Sequence, residues 1–443
     1  MKLLRSLYLN NRFFLGASLV VLAFALSFVL DIDPNVGKVI FFIFVSITAT
    51  DLILLYRTKV GFRGSRKAPE KLSNGDENEI LLNLENLYPF SVSLNIVDEI
   101  PHQFQRRDLS FISEIRPGAM QTIQYFLRPV KRGIYSFGAI NVFVSSPLQL
   151  LSRRFKFSND VEVPVYPSYI QMRRFELLAI SNRLTDAGIK RIRRIGQNSE
   201  FESIKEYVSG DEIRTINWKA TARKNNLMVN HYQDERSQQV YSLIDKGRVM
   251  EMPFNGLSLL DYAINASLVI SNIAIKKSDK AGLITFQDKI NTTVPASKQS
   301  RQMSLILEAL YNQKTAYRET DFSVLFSHIR RKVTQRSLML LFTNFESIYG
   351  LQRQLPFLKR LADQHLLVVI FFENTEVNSL LTESAKNLKE VYYKAVAEKF
   401  SFDKKVIVKE LLRNGIQALL TTPQQLTVNT INKYLELKAR GMI

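Results

Sequence analysis

The stretch "GDEIRTINWKATAR", Gly210 to Arg223, surrounds the only tryptophan of the chain with carboxylates, cations and amides. General acid–base or metal-assisted chemistry needs such a density of ionisable groups, and so does a structural clasp. Asp211 and Glu212 supply two carboxylates, and Asp245, closing the apolar run "QQVYSLID", supplies a third. One divalent ion within reach of all three would define a metal-dependent hydrolase. Hard cations take oxygen ligands from loops at strand ends, which is where Asp245, Asn344 and Glu346 fall. Other chemistries lack their residues. The absence of cysteine removes thiolate nucleophiles, thiolate metal sites and disulfides together. Neither a GxxxxGK[ST] phosphate loop, a GxGxxG after a strand, nor a GxSxG elbow occurs. His102, His231, His328 and His365 have no HExxH or paired spacing and read as ordinary surface or sheet histidines.

Within the opening stretch, Gly210 suits a tight turn and Asp211 can cap a helix that starts at Glu212. Ile213, Ile216 and Ala220 would then form a narrow apolar stripe buried against a neighbouring sheet. Arg214 and Trp218, four apart, could stack guanidinium on indole, and Lys219 and Arg223 repel unless Glu200, Glu202 or Glu206 neutralises them. The segment therefore reads as an internal clasp before a partner-facing surface.

The elements that must position these residues follow from pattern. Phe13 to Leu30 is eighteen residues without a charge, and Val39 to Tyr56 is a second such run broken only by Asp51 near its end. The first run lacks a small-residue cleavage site before "DID", so both read as retained spans, 13–30 and 39–56, of a membrane anchor covering residues 1–60. Lys2, Arg5 and Arg12 precede the hairpin and Arg57, Lys59, Arg63, Arg66 and Lys67 follow it, which places both termini in the cytoplasm. Residues 61–78 are polar and unpatterned and read as a linker. Alternation in "EILLNLEN", "VSLNIVDEI" and "AINVFV" predicts an all-β, immunoglobulin-like sandwich over 79–157. A charged connector occupies 158–238, with "KRIRRI" at 190–195. This cluster could meet an anionic surface, but no aromatics interleave with it, so nucleic acid is not an expected partner. From 239 to 443, apolar strands ending at Asp245, near Phe286, Phe342 and Phe372 alternate with helical patterns, which predicts a doubly wound α/β domain. The formal charge of +19 favours anionic partners, and the 46% apolar fraction is ample for separate cores in a multidomain chain.

Residues Ser199 to Glu235, "SEFESIKEYVSGDEIRTINWKATARKNNLMVNHYQDE", closely resemble the signature of the family catalogued as domain of unknown function 58. The match runs through Glu200, Phe201, Glu206, Tyr207, Gly210, Asp211, Arg214, Ile216, Trp218, Ala222, Arg223, Leu227, Val229 and Glu235, with Lys205 in place of the usual Arg. "RGIYSFG" at 132–138 and "SPL" at 146–148 resemble further pieces of the family pattern. The resemblance implies two N-terminal spans, a β-sandwich and a von Willebrand A-like C-terminal domain.

In a von Willebrand A-type domain the loop after the first strand reads DxSxS and binds a divalent ion, with a Thr and an Asp from later loops. The corresponding residues here are Asp245, Gly247, Val249, Thr320 and Asn344, so two hydroxyls and one carboxylate are missing and Mg²⁺ binding is expected to be weak or absent. No other cofactor is expected. The family's association with MoxR-type AAA+ ATPases and other von Willebrand A proteins implies a non-enzymatic scaffold or adaptor in the bacterial inner membrane. Such a protein would serve stress tolerance, envelope integrity or protein maturation. Glu206, Tyr207, Gly210, Asp211, Arg214, Trp218, Lys219 and Arg223 would form its clasp or partner surface. The alternatives are the hydrolase above and a polyanion-binding membrane-surface protein.

Overall fold

The computed structural model describes the chain except residues 1–4, 32, 34, 107–108, 158–160, 181–198, 209–212, 225, 235–236, 316, 374–376, 378–386 and 443. It divides into two compact units, Met1–Tyr166 and Pro167–Ile443. The "KRIRRI" cluster and Gly210, Asp211 and Glu212 lie outside the described residues.

In the first unit, α1 (Asn11–Val29) and α2 (Asn35–Arg57) are 19 and 23 residues long with mean hydropathies of 2.1 and 2.3. Val20 and Leu55 are their only buried apolar residues among those described. Helices this long, apolar on every side and uncovered, belong in lipid. Their hydroxyls are satisfied within the helix, Ser18 donating to the Phe14 carbonyl and Thr48 to that of Phe44. A third helix of spanning length, α5 (Leu259–Lys276) in the second unit, has a mean hydropathy of 1.2 and is 78% buried, which makes it a core helix.

The remaining elements of this unit form a sandwich. Strands β1 (Leu7–Leu9), β2 (Phe62–Lys67), β3 (Leu72–Ser73), β4 (Asn78–Asn86), β5 (Val92–Asp98) and β6 (Ser110–Ile115) are followed by β7 (Met120–Leu127), β8 (Gly133–Phe137), β9 (Ile140–Ser145), β10 (Leu151–Phe157) and β11 (Val161–Tyr166). They pair in the orders β1-β10-β9-β5-β6, β2-β4-β7 and β3-β11-β8, and the three sheets share one core. Alternation does the work predicted of it: Ile80, Leu82 and Leu84 of β4 all point inward.

The stretch read as a linker is part of this fold. "FRGSRK" escapes the alternation test because its third inward position is Arg66, not an apolar residue. The Arg66 guanidinium donates to the Asp98 carboxylate and to the Gly138 carbonyl at 3.0 Å, and Tyr125 donates its hydroxyl to the same carboxylate. With its side chain 3% exposed, Arg66 is a core cation and leaves the set of juxtamembrane charges.

The hairpin of spans is bolted to this sandwich. Asp51, in the last two turns of α2, is fully buried, and its carboxylate accepts from Ser146 Oγ and from the backbone N–H groups of Leu150 and Leu151 at 3.1 and 2.9 Å. Arg153 of β10 donates to the carbonyls of Leu55, Thr58 and Lys59 at 2.8, 2.9 and 3.1 Å, so a cation caps the negative end of α2. Asn10, immediately before α1, donates its side-chain amide to Ser145 Oγ and Gln149 O, both at 3.1 Å. β1 pairs antiparallel with β10, so the segment before the first span and the strands after the second lie on one side of the hairpin. The "SPL" piece of the family pattern is thus the turn that receives Asp51. Asp51→Ala strands two buried N–H groups and a hydroxyl, and we expect a loss of about 2–4 kcal/mol, read as a lowered unfolding midpoint of the full chain in detergent.

The second unit opens on α3 (Tyr169–Ile180), whose Phe175 enters the core beside α5 (Leu259–Lys276), while Asn265 of α5 accepts from the Ser168 N–H at 2.9 Å. The expected connector over 158–238 is therefore divided, with β11 completing the sandwich and α3 docking on the α/β core. A hairpin of β12 (Ser199–Glu206) and β13 (Met228–Asp234) carries the short helix α4 (Trp218–Lys224).

The main sheet contains β14 (Gln239–Asp245), β17 (Lys280–Phe286), β18 (Ile290–Ser297), β19 (Leu338–Phe342), β20 (Leu366–Phe372) and β21 (Gln417–Thr421). A two-residue ladder of β15 (Pro253–Phe254) and β16 (Leu257–Ser258) leads into α5, where Ser258 and Asp261 form a capping box. The order is β18-β17-β14-β19-β20-β21, parallel except for β18. Residues alternate between two faces: Val240 and Ile244 meet α5, α6 (Gln302–Tyr311) and α10 (Leu426–Ala439), while Tyr241 and Leu243 meet α7 (Phe322–Lys332), α8 (Ile348–Gln364) and α9 (Leu388–Arg413). This is the predicted doubly wound arrangement, with its switch point between β14 and β19.

Candidate functional site

Asp245 closes β14 at that switch point and is fully buried. Its Oδ1 accepts from the Gly247 N–H at 2.8 Å and from Thr320 Oγ1 at 2.5 Å, and its Oδ2 accepts from Thr343 Oγ1 at 2.7 Å. Burial holds this carboxyl above its ordinary pKa, opposed by the three hydrogen bonds. Gly247 sets the geometry. A β-carbon there would stand 2.0 Å from Thr320 Oγ1, so the bare backbone lets Thr320 close directly onto the carboxylate.

Asn344 does not join them. Its Oδ1 receives the Lys404 ammonium at 2.5 Å, and the Phe345 carbonyl receives the same Nζ at 2.6 Å. The neighbouring Thr343 is the residue of this loop that meets Asp245. Asp245, Thr320 and Asn344 are thus split between two networks, and the cation delivered to the β19 loop is the protein's own. These residues do not fit Mg²⁺, which needs several free oxygens in near-octahedral array. Among the described residues no group of three or more His, Asp or Glu side chains has metal-holding spacing. Burial pushes the Lys404 ammonium down to about 8, while Glu346 pulls the other way. Beside it lies a cavity of about 220 Å³, walled mainly by Met252, Phe254, Leu259, Phe372 and Phe400. Nothing local announces Lys404, which arrives on a helix far along the chain. His328 Nε2 shares a 3.0 Å hydrogen bond with Thr293, and His365 is buried with neither ring nitrogen hydrogen-bonded among the described residues, its pKa lowered by that burial.

The signature segment departs from the expected helix. Residues Ile213–Thr215 form a 3₁₀ turn, and α4 begins only at Trp218. Its cap is Asn217, whose Oδ1 accepts from the Ala220 N–H at 3.0 Å and whose own N–H donates to the Met228 carbonyl at 2.8 Å. Ile216 is spent on a bridge to Val229, and Thr221 Oγ1 accepts from the Met228 N–H at 3.0 Å. The hairpin, and not the main sheet, is what this segment folds onto, and the expected stripe does not form: Ile213 points outward. Trp218 is 69% exposed. Trp218, Lys219, Ala222 and Arg223 occupy the side of α4 away from the hairpin, and all four are exposed. Glu206 is exposed and accepts from Asn226 at 3.4 Å, and the Tyr207 N–H donates to the Leu227 carbonyl at 2.8 Å.

Residues 203–380, from this hairpin to just beyond β20, match the family described as "Protein of unknown function DUF58". Over 204 residues the chain is 25% identical to the uncharacterized protein YeaD of Bacillus subtilis (strain 168), covering 44% of this chain and 50% of that protein. It thus spans half the length of that curated relative. Among solved structures, the conserved hypothetical protein BatB from Bacteroides thetaiotaomicron is 13% identical, with a TM-score of 0.31 over 46% of this chain and 100% of its own. An aerotolerance-related membrane protein from Bacteroides fragilis NCTC 9343 is 13% identical, with a TM-score of 0.30 and the same coverages, 46% and 100%.

Two outcomes test the closed crevice. Millimolar Mg²⁺ or Mn²⁺ should leave the unfolding midpoint unchanged, and Gly247→Ser, which restores a hydroxyl of the cation loop, should destabilise by about 1–3 kcal/mol through collision with Thr320. The pH profile tests Lys404. The unfolded chain holds this proton to about 10.4 and the folded chain to about 8, so the unfolded state binds more protons between those values and stability rises with pH there. Wild type should gain on Lys404→Met by on the order of 1–2 kcal/mol across that window, after allowance for the partly exposed stem, with no change in the difference below pH 7.

Proposed function

We propose that the protein is a membrane-anchored, non-enzymatic scaffold, with a von Willebrand A-like α/β unit and an immunoglobulin-like sandwich. It works with a MoxR-type AAA+ ATPase and other von Willebrand A proteins in stress tolerance, envelope integrity or protein maturation. The observation that carries this reading is the strand-end crevice, where the Asp245 and Asn344 oxygens that such a domain would offer to a ligand or metal already accept from Thr320, Thr343 and Lys404. Oxygens engaged by internal donors favour a binding role over metal-assisted catalysis. The latch at Asp51 and Arg153 supports the anchored part, since it joins the spans to the sandwich through buried bonds instead of a free linker.

The inner membrane with both termini in the cytoplasm is the orientation that Lys2, Arg5, Arg12, Arg57, Lys59, Arg63 and Lys67 favour, and the β1–β10 pairing agrees with it. The hydrolase reading requires Asp245 to face an ion, whereas both of its oxygens already accept hydrogen bonds. Crosslinking in native membranes, with and without ATP, should capture a co-encoded ATPase on the full-length chain. Capture in neither state would sink the proposal.

A further inference from the structure

The hairpin of β12 and β13 gathers a surface that neither the closed crevice nor the latch uses. Ile213, Trp218, Val208 and Leu227 are 71, 69, 64 and 46% exposed. Backbone bonds bring them to one end of the hairpin: Tyr207 to Leu227, Asn217 to Met228, and Ile216 bridged to Val229. Exposed apolar groups clustered in this way mark an interaction site. Cations share α4 with Trp218. Lys219, Arg223 and Lys224 are exposed, α4 contains no acidic residue, and among the described residues none of the three makes an ion pair.

A lone exposed tryptophan beside other exposed apolar residues, on a short helix with lysine and arginine, has the chemistry of the boundary between headgroups and acyl chains, where an indole is at home and cations meet anionic lipid. We infer that the outward face of α4, with Ile213 and Val208, seats on an anionic bilayer surface, Trp218 entering at headgroup depth and Lys219, Arg223 and Lys224 lying over lipid phosphates. This inference rests on the membrane-anchored reading. Because one polypeptide carries both the spans and this face, a contact too weak for a free domain suffices once the chain is tethered.

Trp218 is the only tryptophan in the chain, so its fluorescence reports this face without a background. The full-length protein is reconstituted into scaffold-free liposomes of phosphatidylcholine with or without phosphatidylglycerol, each prepared also with acyl-brominated lipid. In the anionic vesicles the emission should shift to shorter wavelength and bromolipid should quench it. Lys219→Gln and Arg223→Gln, both exposed changes, should each lower the docked-to-free ratio about fivefold, whereas Arg223→Lys should not. Emission of a water-exposed indole in both lipids, or quenching indifferent to lipid charge, overturns the proposal. A shift that appears only when a purified ATPase is added, without bromolipid quenching, overturns it in favour of a protein partner. Release of the chain from vesicles by an alkaline wash overturns the anchored reading and this inference with it, whereas retention with an exposed indole overturns this inference alone.

Discussion

The carboxylate of Asp51 takes three donors from a single turn of the sandwich while sitting in a helix long and apolar enough to cross a bilayer. An ionisable group so placed would be costly in lipid, and burying it without partners would be costly in a protein core. Meeting the turn at 146–151 resolves both problems and fixes where the membrane-spanning part stops. Arg153 reinforces this from the opposite sign, neutralising the carbonyls that the end of the same helix leaves open. The anchor and the sandwich therefore share buried polar bonds, and a change in how the spans sit has a mechanical route into the sheet.

The second unit solves a related problem differently. At the switch point of its sheet a buried carboxylate is satisfied by one backbone N–H and two hydroxyls, and a lysine supplies the positive charge for the adjacent loop. Two polar clusters that a divalent ion could have joined are held apart, each complete in itself. At the hairpin end of the unit, by contrast, the Trp218 indole and the Lys219 and Arg223 cations face solvent.

Much of this was readable in the residues, for identifiable reasons. Uninterrupted apolar runs mark the spans, period-two alternation marks β4 and β5, and continuous apolar runs mark β14, β19 and β20, because in each the burial pattern repeats at the element's own period. β2 was hidden because its inward-facing Arg66 is satisfied by Asp98, a partner thirty-two positions away. The helix expected from Glu212 failed because Ile216 pairs with Val229 and Asn217 takes the capping role, both tertiary choices invisible to local spacing. Thr320 meets Asp245 across the switch point, whereas Lys404 comes from α9, whose exposed first half breaks the apolar periodicity that would have announced it.

β1 contributes just three residues, yet its position in the chain has an outsize effect on assembly. It is made before the first span and pairs with a strand made after the second. Only a hairpin inserted with both ends on the same face can bring these segments together. A half-inserted chain, with one span across, strands Leu7–Leu9 on the far side of the bilayer and leaves β10 as an open edge, the kind of surface that invites aggregation and proteolytic attention. The sheet thereby closes only once both spans are in place.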